Sequence, residues 1–379
     1  MQSDDAATDH SLSTEMPPMM RDVWRQPDVL EELAGRSDEI AAFAMANLVP
    51  DHLGCCIAFG SGDGWFAARI AGAASVSMST ASGLDLLAIQ APLLEPMDRG
   101  LAISMSGNVD RTVEAAQALI DRGVKVCLLT NGGGGRLGTV AGPALSLELA
   151  QVAPFLCGTS SFTATLAALR ICTAAMEART DTEGPRIVHT AKVLREELTN
   201  ADVIGRTVAD AVRGNAVGVR MLSAGTDGLG LAEYGAAKLV ELTRIPVWAD
   251  DIEEFAHRQF WSAASGELIV YCPTNPAVAE VAASSSEALR SMGFRTLAVG
   301  PAALINGSDG AGAYDWAYGF SDNGTDAAIL TAVALQLLAY HLSIATGLDP
   351  NRRAHLQGDA ERFRVSRLLT RQSLVGSGT

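Results

Sequence analysis

The chain has 379 residues, 48% hydrophobic and only 5% aromatic, enough for two domains of ordinary size with aliphatic cores. A formal charge of −15 argues against nucleic acid and anionic membranes as partners. No run of residues reads as the roughly 20-residue apolar span of a membrane helix, and the polar, acidic first twenty residues lack the pattern of a signal peptide.

Six cysteines fall at 55, 56, 127, 157, 172 and 272, several of them in apolar runs such as GCCIAFG and VCLLT. There they read as small buried hydrophobes. With no C-x-x-C and no Cys/His cluster, the expectation is a reduced, cytoplasmic protein with no metal and no cofactor.

Residues 1–18 are a Ser/Asp/Thr-rich tail that should be disordered. From Met19 the text MMRDVWRQPDVLEELAGRSDEIAAFAMANL predicts a short helix, then a longer one starting at Pro27. GCCIAF is a strand, followed by Gly60-Ser61-Gly62-Asp63-Gly64 and a helix. Glycine at such a junction lets backbone approach a ligand, or simply makes a tight turn. The spacing is not that of a dinucleotide fingerprint.

Residues 75–80 give a second strand, LDLLAIQ a second helix, and residues 101–129 a full strand–loop–helix–strand unit. Its loop is Ser104-Met105-Ser106-Gly107-Asn108, with the helix starting near Val109. Hydroxyls and exposed N–H groups at a helix start can cradle an anion. The plainer alternative makes Ser104 and Asn108 ordinary caps. The Gly-rich run 131–138 lacks the G-K-[ST] of a P-loop and reads as a loop.

A helix at 186–204 links two halves, 19–185 and 205–348, and 349–379 forms a C-terminal tail. The second half repeats the alternation through AVGVRMLSAGTDGLG, ELIVYCPTN and FRTLAVGP. Strands alternating with helices predict parallel sheets in an α/β, three-layer αβα architecture. The apolar run DAAILTAVALQLLAYHLSIATG should be a helix packed on both halves.

The most informative stretch is 229–257, LGLAEYGAAKLVELTRIPVWADDIEEFAH. Its first part is an Ala-rich helix on which Tyr234, Lys238 and Glu241 share one face. An ammonium and a carboxylate on a face of Ala, Leu and Val are costly to bury unless they pair or do chemistry. Pro246 should end the helix near Arg244. IPVWA, an acidic turn DDIEEF and His257 follow.

This stretch resembles the second sugar-isomerase (SIS) domain of glucosamine-6-phosphate synthase and its relatives, including fructosamine-6-phosphate deglycases. Their helix E-G-A-L-K-L-K-E-[IL]-[ST] corresponds to Tyr234–Thr243, and a His follows its last Glu at the spacing of His257 from Glu241. The resemblance extends to Gln26-Pro27, to Ser104, Ser106 and Gly107 in a phosphate signature S-x-S-G-x-T, and to the segment 158–163.

What it implies is a double-SIS chain over about residues 20–350. Glu241 would move a proton between C1 and C2, and His257, supplied by the partner subunit of a homodimer, would help open the ring. Gly60, Ser61, Gly62, Ser104, Ser106, Gly107, Asn108, Thr159, Ser160, Lys238 and His355 would bind substrate. The chain departs from the pattern at Gly62 and Val109, where phosphate hydroxyls are expected, and at Tyr234. Lys125, Lys192 and Lys238 are the only lysines, so the synthase's Schiff-base Lys near the C-terminus has no counterpart. His355 falls near its place.

The implied reaction is an aldose–ketose isomerisation of a sugar with an anionic C6 group, phosphate or sulfonate, without glutaminase activity. A fructosamine-6-phosphate-type deglycase, an amino-sugar phosphate deaminase, and a non-catalytic sugar-phosphate sensor are the alternatives. The chemistry suits the residues. A carboxylate over one face of an enediol can take and return the proton, and an imidazole titrates where ring opening needs it.

Overall fold

A computed structural model describes residues 16–51, 54–214, 218–305, 312–321 and 324–371. Most of the expected disordered tail, residues 1–15, lies outside them. Three helices open the chain, α1 (Pro18–Trp24), α2 (Gln26–Gly35) and α3 (Ser37–Asn47). The first sheet unit follows: β1 (Cys56–Gly60), α4 (Asp63–Ala73), β2 (Met78–Ser82), α5 (Gly83–Asp85), β3 (Arg99–Ile103), α6 (Asp110–Asp121), β4 (Lys125–Thr130) and β5 (Ala144–Ser146). Helices α7 (Ser160–Met176) and α8 (Thr180–Val212) lead to the second.

That unit holds β6 (Val219–Ser223), α9 (Gly225–Leu242), β7 (Val247–Asp251), α10 (Ile252–His257), β8 (Leu268–Tyr271), α11 (Pro276–Ser291), β9 (Arg295–Pro301), α12 (Ala302–Ile305) and β10 (Trp316–Phe320). Helices α13 (Ala327–Ala345), α14 (Ala354–Gly358) and α15 (Ala360–Arg371) complete the described chain.

Each sheet has five parallel strands, in the orders β2-β1-β3-β4-β5 and β10-β9-β8-β6-β7. Inner strands β1, β3, β6 and β8 are buried at every residue, which is why they read as continuous apolar runs rather than alternating ones. In the first sheet the chain reverses its winding between β1 and β3. Ligands of open parallel sheets sit at such a switch point, beyond the strands' carboxyl ends. Gly60–Asp63 follows β1 there, and Ser104–Asn108 follows β3.

Several local expectations are corrected. The linking helix is much longer than 186–204, running over 33 residues with Pro185 inside it. DDIEEF is not a turn but the end of edge strand β7, which begins at Val247, and the start of α10. The Asp251 carboxylate caps α10 by accepting from the N–H groups of Glu253 and Glu254. LDLLAIQ runs from a short α turn through a π turn at Leu86–Gln90 into a 3-10 turn.

Helix α13 is long and apolar enough, by length and composition, to cross a membrane, contrary to the sequence reading. Yet 83% of it is buried, packed against α7, α8, α9 and β9. It is the core helix between the two sheets.

Candidate functional site

The site begins with a close helix crossing. At Gly230 on α9 a Cβ would lie 2.9 Å from Ile70 of α4, so glycine there permits the approach of α4 to α9. Asp63 at the start of α4 thereby reaches Lys238 on α9, 175 residues away, with Nζ donating to Oδ2 at 3.0 Å. The same Nζ donates to Glu241 Oε1 at 3.1 Å. Lys238 is fully buried, while Asp63 and Glu241 keep 28% and 31% of their side chains exposed. The structure is thus a buried ammonium under two carboxylates that face outward.

Glu241 occupies the last turn of α9, where the helix's negative end opposes a carboxylate. Two cations offset that cost. One is Lys238; the other is Arg353, whose guanidinium donates to Glu241 Oε2 at 3.1 Å. Arg353 also donates to the carbonyls of Phe155 (2.6 Å) and Leu156 (3.0 Å), which ties the tail, the 155–158 loop and Glu241 together. It does so from the left-handed region (φ 47°), uncommon for a non-glycine residue. His355 Nε2 donates to the Glu241 carbonyl at 3.1 Å, closing one of the helix's open C-terminal acceptors.

Charge in the cluster is set by burial against pairing. Burial opposes the Lys238 ammonium, but Asp63 and Glu241 outweigh it and hold its pKa above the ordinary lysine value. Burial raises the Asp63 carboxyl, with Glu241 adding to the rise and Lys238 opposing it. Burial lowers the His355 pKa, and Arg244 and Arg353 add to that, so its imidazole is neutral at pH 7. The Cys157 thiol is pushed up to about 12 by burial, so it is no nucleophile.

A second network fixes the loop beside the cluster. Thr163 Oγ1 donates to Gln26 Oε1 (2.8 Å), Gln26 Nε2 to Gln336 Oε1 (2.7 Å), Gln336 Nε2 to the Tyr234 hydroxyl (2.9 Å), and that hydroxyl to the Gly158 carbonyl (2.9 Å). A Cβ at Gly158 would overlap Asp63 Oδ2, so any larger residue there would have to displace the Asp63 carboxylate. Tyr234 therefore holds the loop, with its ring stacked on Phe162 at 3.6 Å. Thr159 and Ser160, expected to bind substrate, give their hydroxyls to the Asp22 carboxylate and anchor the same loop. Ser160 also lines a cavity of about 450 Å³ whose wall includes Ser106, Leu156, Cys157 and Gly158. That volume suits a small-molecule ligand.

Beyond β3, Ser104 Oγ accepts from the Gly107 N–H at 3.1 Å and Ser106 Oγ from the Asn108 N–H at 3.3 Å. Both hydroxyls keep a hydrogen to donate. The residue before α6, Val109, supplies no side-chain cap, so the helix start offers N–H groups to an anion. The Gly-rich run packs directly on this loop: a Cβ at Gly107 would overlap the Gly134 carbonyl. The Asn108 side chain is engaged with Ser106 and Arg136. Gly60 ends β1 against the Ile103 carbonyl, and Gly62 takes a left-handed φ of 57° in open space with Ser61 beside it.

The structure does not bring His257 to this cluster within one chain. Its side chain is 66% exposed on α10, with Glu253 at 3.4 Å as its partner. Conversely, Asp63 and Arg353 are central contacts that the sequence reading did not select. Asp63 stood in view within the Gly60–Gly64 loop, and Arg353 lies two residues before His355, which the resemblance did single out.

The fold is that of the double-SIS proteins. At TM-score 0.72 and 16% identity the chain resembles the C-terminal domain of glucosamine-fructose-6-phosphate aminotransferase from Francisella tularensis, over 89% of this chain and 98% of that one. It resembles tagatose-6-phosphate ketose/aldose isomerase from Escherichia coli at 0.70 and 19%, over 89% and 95%. It resembles glucosamine-6-phosphate deaminase from Thermotoga maritima at 0.67 and 16%, over 88% and 97%. No protein-family profile and no curated protein sequence matches the chain.

Proposed function

We propose that this protein is an aldose–ketose isomerase acting on a sugar with an anionic C6 group, with Glu241 as the proton carrier. The observation that carries the reading is the partly open Glu241 carboxylate held between the Lys238 ammonium and the Arg353 guanidinium. Removing a proton beside a carbonyl leaves an enediolate, and a fixed cation next to the base stabilises that developing charge. Glu241 then returns the proton to the neighbouring carbon. Lys238, held protonated, lacks the free lone pair a Schiff base needs at neutral pH, which favours the enediol route over an imine.

Ser104, Ser106 and the N–H groups starting α6 would hold the anion. The structural resemblance to an isomerase and a deaminase is consistent with this chemistry class. A deglycase or deaminase would use the same Glu241 and differ in releasing an amine, which product analysis detects.

The test is a thermal-shift panel of glucose-6-phosphate, fructose-6-phosphate, glucosamine-6-phosphate, a fructosamine-6-phosphate and 6-sulfonated glucose. A ligand that binds only the folded state raises the melting temperature. Glu241→Gln is expected to keep that shift and lose turnover. A variant that turns substrate over like wild type would remove Glu241 as the proton carrier, and a wild-type protein that binds a sugar without converting it would be a sugar sensor.

A further inference from the structure

We propose that Arg25 is the cation that pairs with the sugar's anionic C6 group, an inference that rests on the isomerase reading for the identity of the ligand. The loop after β3 offers an anion hydroxyls and N–H groups but no free cation, because Arg136 beside it pairs with Asp110. An anion drawn out of water needs a charge partner as well as hydrogen bonds. The cavity of about 450 Å³ next to that loop provides one. Ser106 forms one part of its wall, and Arg25, at the junction of α1 and α2, forms another.

Arg25 is the only cation among the residues lining the cavity, and its side chain is 17% exposed. Its Nη2 donates to Ser160 Oγ at 3.0 Å and pairs with Asp22 Oδ1 at 2.7 Å. Its Nε is buried without a partner, and Nη1 has none among the described residues. A guanidinium carries five N–H donors, and a buried donor left without an acceptor is costly. An anion in the cavity removes that cost.

Asp22 does not depend on Arg25 alone. Its carboxylate also accepts from Thr159 Oγ1, from the Ser160 N–H at 3.0 Å and from Ser160 Oγ at 2.9 Å. These donors share in stabilising the buried carboxylate, so Arg25 retains donors and attraction for a second anion. Across the cavity, Ser106 Oγ accepts from the Asn108 N–H and keeps its own hydrogen to donate. Leu149, Val152 and Leu156 make the rest of the wall partly apolar, which strengthens a charge-assisted hydrogen bond.

The wall is held in shape. Asn131 accepts from the Leu149 N–H at 2.7 Å and donates to the Leu149 carbonyl at 3.0 Å, while Arg353 holds the Phe155 and Leu156 carbonyls. Glu148 and Phe155 take left-handed φ values of 59° and 61°, strain that persists only where surrounding contacts maintain it. Gly158, also on the cavity wall, lies against Asp63. An anion at Arg25 is thus one loop away from the Lys238–Glu241 cluster.

Isothermal titration with inorganic phosphate, glucose-6-phosphate and 6-sulfonated glucose tests the assignment in wild type, Arg25→Gln and Arg25→Lys. The expected result is affinity for all three lowered roughly 10- to 100-fold in both variants, the range of a hydrogen bond to a charged group. Arg25→Lys keeps a cation for Asp22 but lacks the Nε and Nη1 donors, so it also serves should Gln at 25 not fold.

A folded variant of either kind that binds like wild type overturns the proposal. Full binding by Arg25→Lys, in particular, would make Arg25 a partner of Asp22 and nothing more. A wild type that binds none of the three anions overturns it too. A wild type that binds them through Arg25 and converts no sugar fails the functional reading instead, and leaves the anion site standing.

Discussion

At the level of single residues, the chemistry hangs on a buried ammonium. Lys238→Met would leave two carboxylates facing each other without their shared cation. Breaking a buried pair from one side costs about 3–5 kcal/mol, and partial solvent contact of both carboxylates puts this case near 3 kcal/mol. Urea unfolding at pH 7 measures it.

The sign with pH follows from a folded-state pKa raised above the ordinary lysine value of 10.5. The stabilisation is complete below 10.5 and is lost as pH climbs through the folded value. The gap between wild type and Lys238→Met should therefore be largest near neutrality and narrow in strong alkali.

Lys238 and Glu241 were legible in the sequence because a helix places them on one face by periodicity alone. Asp63 and Arg353 were not, because their partners lie 175 and 112 residues away and only tertiary packing brings them in.

Among elements, α9 does most of the positioning. It meets α4 at Gly230, carries Lys238 and Glu241, and sends the Tyr234 hydroxyl to the 158 loop. Tyr234→Phe removes a donor to the Gly158 carbonyl and an acceptor for Gln336, both in a buried network. The expected loss is about 1–3 kcal/mol in chemical denaturation, with turnover reduced as the loop loosens against Asp63. A variant as stable and active as wild type would remove Tyr234 from the account.

The helix itself was visible from its Ala-rich text and from Pro246, which follows its end at Leu242. The acidic segment after it was misread. DDIEEF looks like a turn by composition, yet Asp251 there is the cap that starts α10. The tail was legible only in part: its resemblance pointed near the right place, but a left-handed Arg353 reaching back to Glu241 leaves no periodic trace.

For the whole molecule, two parallel sheets were readable because their inner strands are unbroken apolar runs separated by helical periods. How the two sheets face each other across α4, α9 and α13 was not readable, since that depends on glycine contacts and buried polar networks rather than on composition.

We propose that the chain forms a homodimer, as the resemblance implies. It is supported by exposed apolar side chains of the second unit, with Trp261 83% exposed after α10 and Val240 exposed on α9. Light scattering should give twice the chain mass, and Trp261→Glu should shift it toward the monomer. A wild-type monomer at micromolar concentration would contradict the dimer.

The central claim is that Glu241 moves a proton between adjacent carbons of a sugar. It is tested most directly by incubating the protein with fructose-6-phosphate and glucose-6-phosphate in deuterium oxide and following C1 and C2 by NMR. The account predicts deuterium at C2 of the aldose or C1 of the ketose with wild type, and none above background with Glu241→Gln. Equal incorporation by both proteins, or binding of these sugars with no incorporation by wild type, would contradict it.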